Sequence, residues 1–305
     1  MDALAASKTA MVTSLMRAVH TRCDPAPILD DSWGDRLLPE AALQLLEKFA
    51  VAAAGEAVQD SDDIQAVTET LLRDNPAYAN VIVRARYTED ALASMVASGV
   101  TQYVLIGAGF DSYALRKPPG AQHLDVYEVD HPATQSLKTH QLAACGVSGD
   151  RRHHFIPADL GEEDLGAALS RSSFDGTRPA FFSWLGVTMY LSREANMATL
   201  ESVARCSAPG SQLVFSYIDQ ALFDAGTGAE KQVFNELEQS VRSVDEPFIS
   251  GFNPADLARV LEGVGLVLEE DLSDIQLAAH YDPDGLNAFR STDKSRLARV
   301  SVPGS

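Results

Sequence analysis

The sequence is poor in cysteine and has no long apolar run, which excludes several classes of protein. Its 305 residues contain three cysteines, Cys23, Cys145 and Cys206, at wide spacing and without a CxxC pair. Neither a disulfide framework nor a zinc site is predicted from that pattern. No run approaches the roughly 18 apolar residues that a membrane helix needs. The first twenty residues also lack an apolar segment followed by a small-residue cleavage site, so we predict a cytoplasmic protein with no membrane partner.

Basic residues are also scarce. The chain has 24 Lys and Arg against 43 Asp and Glu, a formal net charge of −19. Such a charge repels a phosphate backbone, so we expect no nucleic-acid partner. The seven histidines include the adjacent pair His153 and His154 but no HExxH motif. Neighbouring side chains on a strand point to opposite faces, and we therefore predict no metal site.

The pattern of apolar residues changes near residue 100. The pattern over residues 1–97 predicts helices, with a Pro- and Asp-rich irregular stretch after Cys23. Over residues 98–305, short apolar runs alternate with amphipathic segments. Continuous apolar strands between helices are typical of a parallel sheet that is covered on both faces. We predict an N-terminal helical unit, residues 1–97, packed on an α/β domain, residues 98–305. The predicted strands cover residues 102–107, 123–130, 153–158, 179–187, 212–218 and 266–272.

The segment VLIGAGFDS, residues 104–112, closes the first of these strands with two glycines. Ligands of such sheets bind beyond the carboxyl ends of the strands, where glycine lets the backbone approach them. The next strand ends in Asp130, an acid placed to accept both hydroxyls of a ribose. A dinucleotide loop prefers a third glycine, but Ser112 stands there and Asp111 adds a negative charge. These features favour S-adenosylmethionine, with a nicotinamide dinucleotide as the alternative.

Two longer motifs resemble those of a known family. GAGFDSYALR and YEVDHPATQSLK, with SKTAMVTSLMRA, RARYTEDAL, PADL and SWLGVTMYL, resemble the leucine carboxyl methyltransferase-like family. The similarity is greatest to its bacterial branch of S-adenosylmethionine-dependent O-methyltransferases, which includes enzymes of polyketide tailoring. The resemblance implies an α/β fold of the class I methyltransferase-like (Rossmann-like) type. It implies a mostly parallel seven-stranded sheet with helices on both faces and an N-terminal helical lid.

The resemblance also implies a set of cofactor-binding residues. Arg86 would pair with the methionine carboxylate, with Arg84 as a substitute, and Asp130 would hold the ribose. Asp159 would accept a hydrogen bond from the adenine amino group. The full implied set is Arg86, Gly107, Ala108, Gly109, Asp111, Asp130, His131, Asp159, Leu160 and Leu185.

One position departs from the family. Leucine carboxyl methyltransferases proper carry an acid where this chain has Leu185, in WLGVTMY. That acid is thought to contact the ammonium group of the cofactor. The role falls here to Asp111 or to a backbone carbonyl, and the departure argues against a protein C-terminus as substrate.

From these features we predict an S-adenosylmethionine-dependent methyltransferase that methylates a carboxylate or hydroxyl oxygen of a small, polyketide-type metabolite. A carboxylate acceptor needs no general base, whereas a hydroxyl acceptor does. Tyr190, His131 and Tyr217 are candidates for that base, although no motif fixes one of them. The alternatives are a nicotinamide-dependent oxidoreductase on a similar sheet and a non-catalytic relative that binds the cofactor.

Overall fold

A seven-stranded sheet forms the centre of the computed structural model, which describes residues 7–54, 60–147, 149–224, 235 and 247–304. The strands are β1 (Gln102–Ile106), β2 (Asp125–Asp130), β3 (His153–Pro157), β4 (Phe181–Trp184), β5 (Gln212–Ile218), β6 (Val267–Ser273) and β7 (Ser295–Ser301). Their order across the sheet is β3-β2-β1-β4-β5-β7-β6. β1 to β5 are parallel, and β7 runs antiparallel to β5 and β6. The predicted mostly parallel α/β sheet is therefore confirmed.

Helices cover both faces of this sheet because successive strand residues point to opposite sides. Val104 and Ile106 of β1 belong to one buried cluster, while Tyr103 and Leu105 belong to the other. The helices are α1 (Lys8–Cys23), α2 (Glu40–Ala54), α3 (Ser61–Asp74), α4 (Tyr78–Ala97), α5 (Pro132–Ala144), α6 (Leu165–Leu169), α7 (Arg193–Cys206), α8 (Ala221–Asp224), α9 (Leu257–Glu262) and α10 (Asp274–Tyr281).

The first four helices precede the sheet in the chain, as the apolar pattern predicts. α1, α3 and α4 share a buried cluster that includes Met16, Leu72 and Ile82. Phe110, which lies in the glycine loop after β1, is part of the same cluster. This packing joins the N-terminal helices to the carboxyl edge of the sheet. Among the described residues, no helix combines the length and apolar character needed to cross a membrane.

The apolar pattern locates six strands, and the seventh, β7, is absent from that set. Its sequence, SRLARVS, mixes buried and partly exposed residues, and Arg296 and Arg299 fall within it. Arg296 forms an ion pair with Asp271 at 2.9 Å, and Arg299 approaches Glu270 at 3.5 Å, both on β6. Cross-strand pairing of charges thus accounts for a strand that hydropathy alone does not reveal.

Candidate functional site

The loop after β1 is held in a conformation that requires glycine. Gly107 has φ +67° and Gly109 has φ +51°, in the left-handed region that residues with a Cβ rarely adopt. A Cβ on Gly107 would lie 2.5 Å from Cγ2 of Val187 in the loop after β4. The two loops therefore approach each other closely beyond the carboxyl ends of neighbouring strands.

Asp130, at the tip of β2, faces this loop. Its carboxylate accepts the backbone N–H of Gly109 and, at 2.6 Å, that of His131. Burial raises the pKa of Asp130, and the two backbone donors oppose that shift. A carboxylate has about four acceptor positions, so two backbone bonds leave room for two further donors. The side chain remains partly exposed and can reach a ligand.

A buried ion pair supports the same loop from below. Nζ of Lys138, on α5, lies 2.5 Å from Oε2 of Glu128 and 2.5 Å from the carbonyl oxygen of Asp111. His153 Nε2 lies 2.8 Å from the other oxygen of Glu128. Both members of the ion pair are 1% exposed, and Lys138 lowers the pKa of Glu128 against the effect of burial. The pair fixes β2, α5 and the loop relative to one another.

Arg84 is the cation that α4 presents to the loop after β4. A Cβ on Gly186 would lie 2.5 Å from its Nη2 atom, so this glycine makes room for the guanidinium. Nη1 donates a hydrogen bond to Oδ1 of Asn80 at 2.6 Å. Burial lowers the pKa of Arg84 to about 10, so it is charged at neutral pH. In the described part of the chain, no carboxylate oxygen lies within 4.0 Å of it.

Arg86 lies two residues further along α4 and has a different environment. Its guanidinium binds the carboxylate of Asp90 through Nη2 at 2.6 Å and Nε at 3.1 Å. The Arg86 side chain is 40% exposed. Its charge is thus already paired, whereas that of Arg84 is available. The contacts favour Arg84 over Arg86 as the binder of a ligand carboxylate.

Asp159 and Leu160 follow β3, at the next strand tip. Oδ1 of Asp159 accepts the backbone N–H of Gly161 at 2.9 Å, which orders the turn. Leu160 packs on the core beneath it. Neighbouring strands lie about 4.8 Å apart, so the four tips from β4 to β3 span about 14 Å. From β4 to β3, the groups at these tips are the Arg84 guanidinium, the glycine loop, the Asp130 carboxylate and the Asp159 carboxylate.

The three predicted bases lie in different surroundings. Tyr190 ends a short 3₁₀ helix, Thr188–Tyr190, and its ring packs against Phe248 with centroids 5.5 Å apart. Tyr190 is also close enough to Arg84 to affect the pKa of that residue. His131 is exposed, and its Nδ1 accepts the N–H of Ala133 at the start of α5.

Tyr217 is held within the sheet. Its hydroxyl donates to Asp271 at 2.9 Å and accepts from Nε of Arg296 at 3.1 Å. Burial raises the pKa of Tyr217 well above its usual value. Leu185, at the position of the family's acid, packs against the core cluster that contains Leu105 and Phe181. Of the three candidates, Tyr190 is the one that affects the pKa of Arg84.

α1 lies directly over the glycine loop. Ser14 Oγ donates to the carbonyl oxygen of Phe110 at 3.2 Å, and Nη2 of Arg17 donates to it at 2.8 Å. A Cβ on Gly109 would lie 3.0 Å from Cβ of Ala10. The backbone N–H of Ser7 donates to Oγ1 of Thr134 on α5. The N-terminal helix is therefore one wall of the site.

Sequence reasoning ranked Arg84 below Arg86 and overlooked Asn80 and Asp274. A signal for Arg84 was available. With about 100° per residue, Arg84 has nearly the same helical phase as Ala91 and Met95, two apolar residues of α4 that pack on the core. Arg86 is rotated by about 200° from that phase. No comparable signal marked Asp274, which reaches Asn80 from 194 residues away.

The chain is similar to curated bacterial proteins over nearly its whole length. It is 32% identical to "Putative S-adenosyl-L-methionine-dependent methyltransferase YktD" of Bacillus subtilis, over 96% of this chain and 94% of that protein. A Mycolicibacterium smegmatis protein of the same description is 31% identical over 82% of this chain and 79% of its own length.

Solved structures show the same fold at low sequence identity. A "putative methyltransferase" from Thermobifida fusca is similar with a TM-score of 0.54 and 18% identity, over 85% of this chain and 94% of that one. A duf574 family protein from Streptomyces avermitilis is similar with a TM-score of 0.55 and 16% identity, over 85% and 96%. The fold is that of class I methyltransferases. The family model for leucine carboxyl methyltransferase matches residues 10–204, and the chain belongs to the leucine carboxyl methyltransferase family.

Proposed function

We propose that this protein is an S-adenosylmethionine-dependent methyltransferase that methylates an oxygen atom of a small metabolite. The observation that carries the proposal is the order of groups along the strand tips. Arg84, the glycine loop, Asp130 and Asp159 follow one another from β4 to β3. The cofactor has its carboxylate, methionine chain, ribose and adenine in the same order. The names of the relatives support this assignment of the ligand.

Each of these side chains has a stated role in the proposal. Arg84 binds the amino-acid carboxylate, and Asp130 accepts from the ribose hydroxyls with the lone pairs that the backbone leaves open. Asp111 or a nearby carbonyl oxygen receives the ammonium, since Leu185 packs on the core and carries no charge. Asp159 accepts from the adenine amino group beside Leu160. When bound, the cofactor supplies a methyl group that is already activated by the sulfonium.

The protein's part in the reaction is alignment and exclusion of water. α1 covers the glycine loop through the contacts of Ser14 and Arg17 with Phe110. A covered cleft suits a small or extended acceptor, such as a polyketide-type metabolite, better than a folded protein surface. A carboxylate acceptor would need no base. For a hydroxyl acceptor, we propose that Tyr190 takes up or orients the proton, because it lies near Arg84 at the β4 loop.

Calorimetric titration tests the ligand. S-adenosylhomocysteine should bind and NAD should not, whereas binding of NAD alone would support an oxidoreductase. Asp130→Ala should weaken the binding of S-adenosylhomocysteine by about 1.5–3 kcal/mol, the value for hydrogen bonds to a charged group. Unchanged affinity would remove Asp130 from the site. Methyl transfer to a panel of carboxylic acids and phenols then separates an enzyme from a non-catalytic relative.

Arg84→Met and Arg86→Met form a matched pair on one helix. Arg84→Met should lower the affinity for S-adenosylhomocysteine about tenfold or more, because a charge-assisted hydrogen bond to the ligand's carboxylate is lost. Arg86→Met should change the affinity less than twofold, since its partner is Asp90. The reverse result would return the role to Arg86.

A further inference from the structure

A chain of hydrogen bonds runs from Arg84 into the protein core. Arg84 Nη1 donates to Oδ1 of Asn80 at 2.6 Å, one turn earlier on α4. Nδ2 of Asn80 donates to Oδ1 of Asp274 at 2.8 Å. Asp274 is the first residue of α10, directly after β6. One amide side chain thus connects the guanidinium at the β4 loop with a carboxyl group from the C-terminal part of the chain.

The surroundings of Asp274 explain why it holds the amide in one orientation. Asp274 is 1% exposed. Asn80 and Arg84 face it from α4, and Ser295 and Arg296 face it from β7. The Asp274 oxygen accepts from the NH₂ end of Asn80, and this contact turns the amide oxygen toward Arg84. That oxygen is the hydrogen-bond partner of the guanidinium within the described residues.

We propose that Asn80 and Asp274 are positioning residues that hold the guanidinium of Arg84 against Gly186, ready for the amino-acid carboxylate of the cofactor. The inference rests on the proposed function. A free arginine side chain carries considerable rotamer entropy, which binding must overcome. Asn80 lowers that cost because it fixes the guanidinium without neutralising its charge. An acid in direct contact would instead compete with the ligand's carboxylate.

The experiment compares two adenosine ligands that differ at the amino-acid portion. S-adenosylhomocysteine carries the carboxylate, and methylthioadenosine lacks it. Calorimetry is done on the full chain and on Asn80→Leu, Asp274→Leu and Asp274→Asn. Asn80→Leu and Asp274→Leu should each lower the affinity for S-adenosylhomocysteine about tenfold, which is the effect of losing one hydrogen bond to a charged group. Both variants should bind methylthioadenosine with an affinity within twofold of the wild-type value. Asp274→Asn keeps an acceptor for Asn80 and should behave like the wild type.

The ratio of the two affinities is a readout that a merely structural role would not move. Equal losses for both ligands, or an unchanged ratio in Asn80→Leu, would overturn the positioning role. Failure of the wild type to bind either ligand would instead refute the proposed function. Asn80→Ala serves as the second variant if Asn80→Leu does not fold, with the same expected ratio. Arg84→Met is titrated in the same way. It gives the largest change in the ratio of the two affinities that loss of the contact between Arg84 and the ligand carboxylate can produce.

Discussion

Removal of one member of the Lys138–Glu128 pair should destabilise the protein far more than removal of both. The two charges are each 1% exposed and lie 2.5 Å apart, so loss of Lys138 leaves a buried carboxylate without its cation. Such a loss costs about 3–5 kcal/mol, whereas an apolar replacement of a whole buried pair is often neutral or stabilising. Because His153 still contacts Glu128, the loss in free energy of unfolding for Lys138→Met should lie at the lower end of this range, about 3 kcal/mol.

A double-mutant cycle measures this coupling. The variants are Lys138→Met, Glu128→Leu and the double variant, with unfolding followed by thermal denaturation at fixed pH. For a protein of this size, 1 kcal/mol corresponds to about 2 °C, so Lys138→Met should lower the Tm by roughly 6 °C. The double variant should come within about 1 kcal/mol of the wild type. A double variant whose loss equals the sum of the single losses would refute the reasoning, because the two charges would then not be coupled.

Two further predictions follow from the environment of Arg84. Gly186→Ala should cost about 1–2 kcal/mol for its φ of +69° and should also lose S-adenosylhomocysteine affinity, because the guanidinium must move. Gly285→Ala, at φ +66° with nothing within 4 Å of its Cβ, should show only the stability loss. Equal ligand affinity in the two variants would contradict the contact between Gly186 and the Arg84 guanidinium. Burial raises the pKa of Asp274 to about 7 from 3.8, so the folded protein binds more protons and loses stability as the pH rises toward 7. The advantage of Asp274→Asn in free energy of unfolding should therefore grow by about 2.5 kcal/mol between about pH 5 and pH 8, and denaturant titrations showing a constant difference would rule this out.

Sequence patterns predicted the parts of the site that lie close together in the chain. Gly107 and Gly109 follow an apolar strand directly, and Asp130 ends the next one, so the parallel topology alone brings them to one edge. The structure places all three there. β1, β2, β4 and β5 were found because burial on both faces leaves a continuous apolar run.

Contacts between distant segments escaped prediction. Arg84 and Arg86 are identical residues in one motif, and only the rotation of α4 against the sheet decides which one meets Gly186. Asp274 belongs to the site through a neighbour 194 residues earlier. No local pattern contains such a pairing, because it depends on how α10 packs on α4.

The position of β7 between β5 and β6 makes the proposed role of Asn80 and Asp274 depend on the last strand of the sheet in the chain. Among the described strands, β6 pairs with β7, so residues 295–301 connect it to β5 and to the rest of the sheet. Asp274 follows β6 directly and reaches Asn80 only once that edge is complete. Loss of residues 295–301 would thus remove the support of the arginine on α4 while leaving the glycine loop and Asp130 in place.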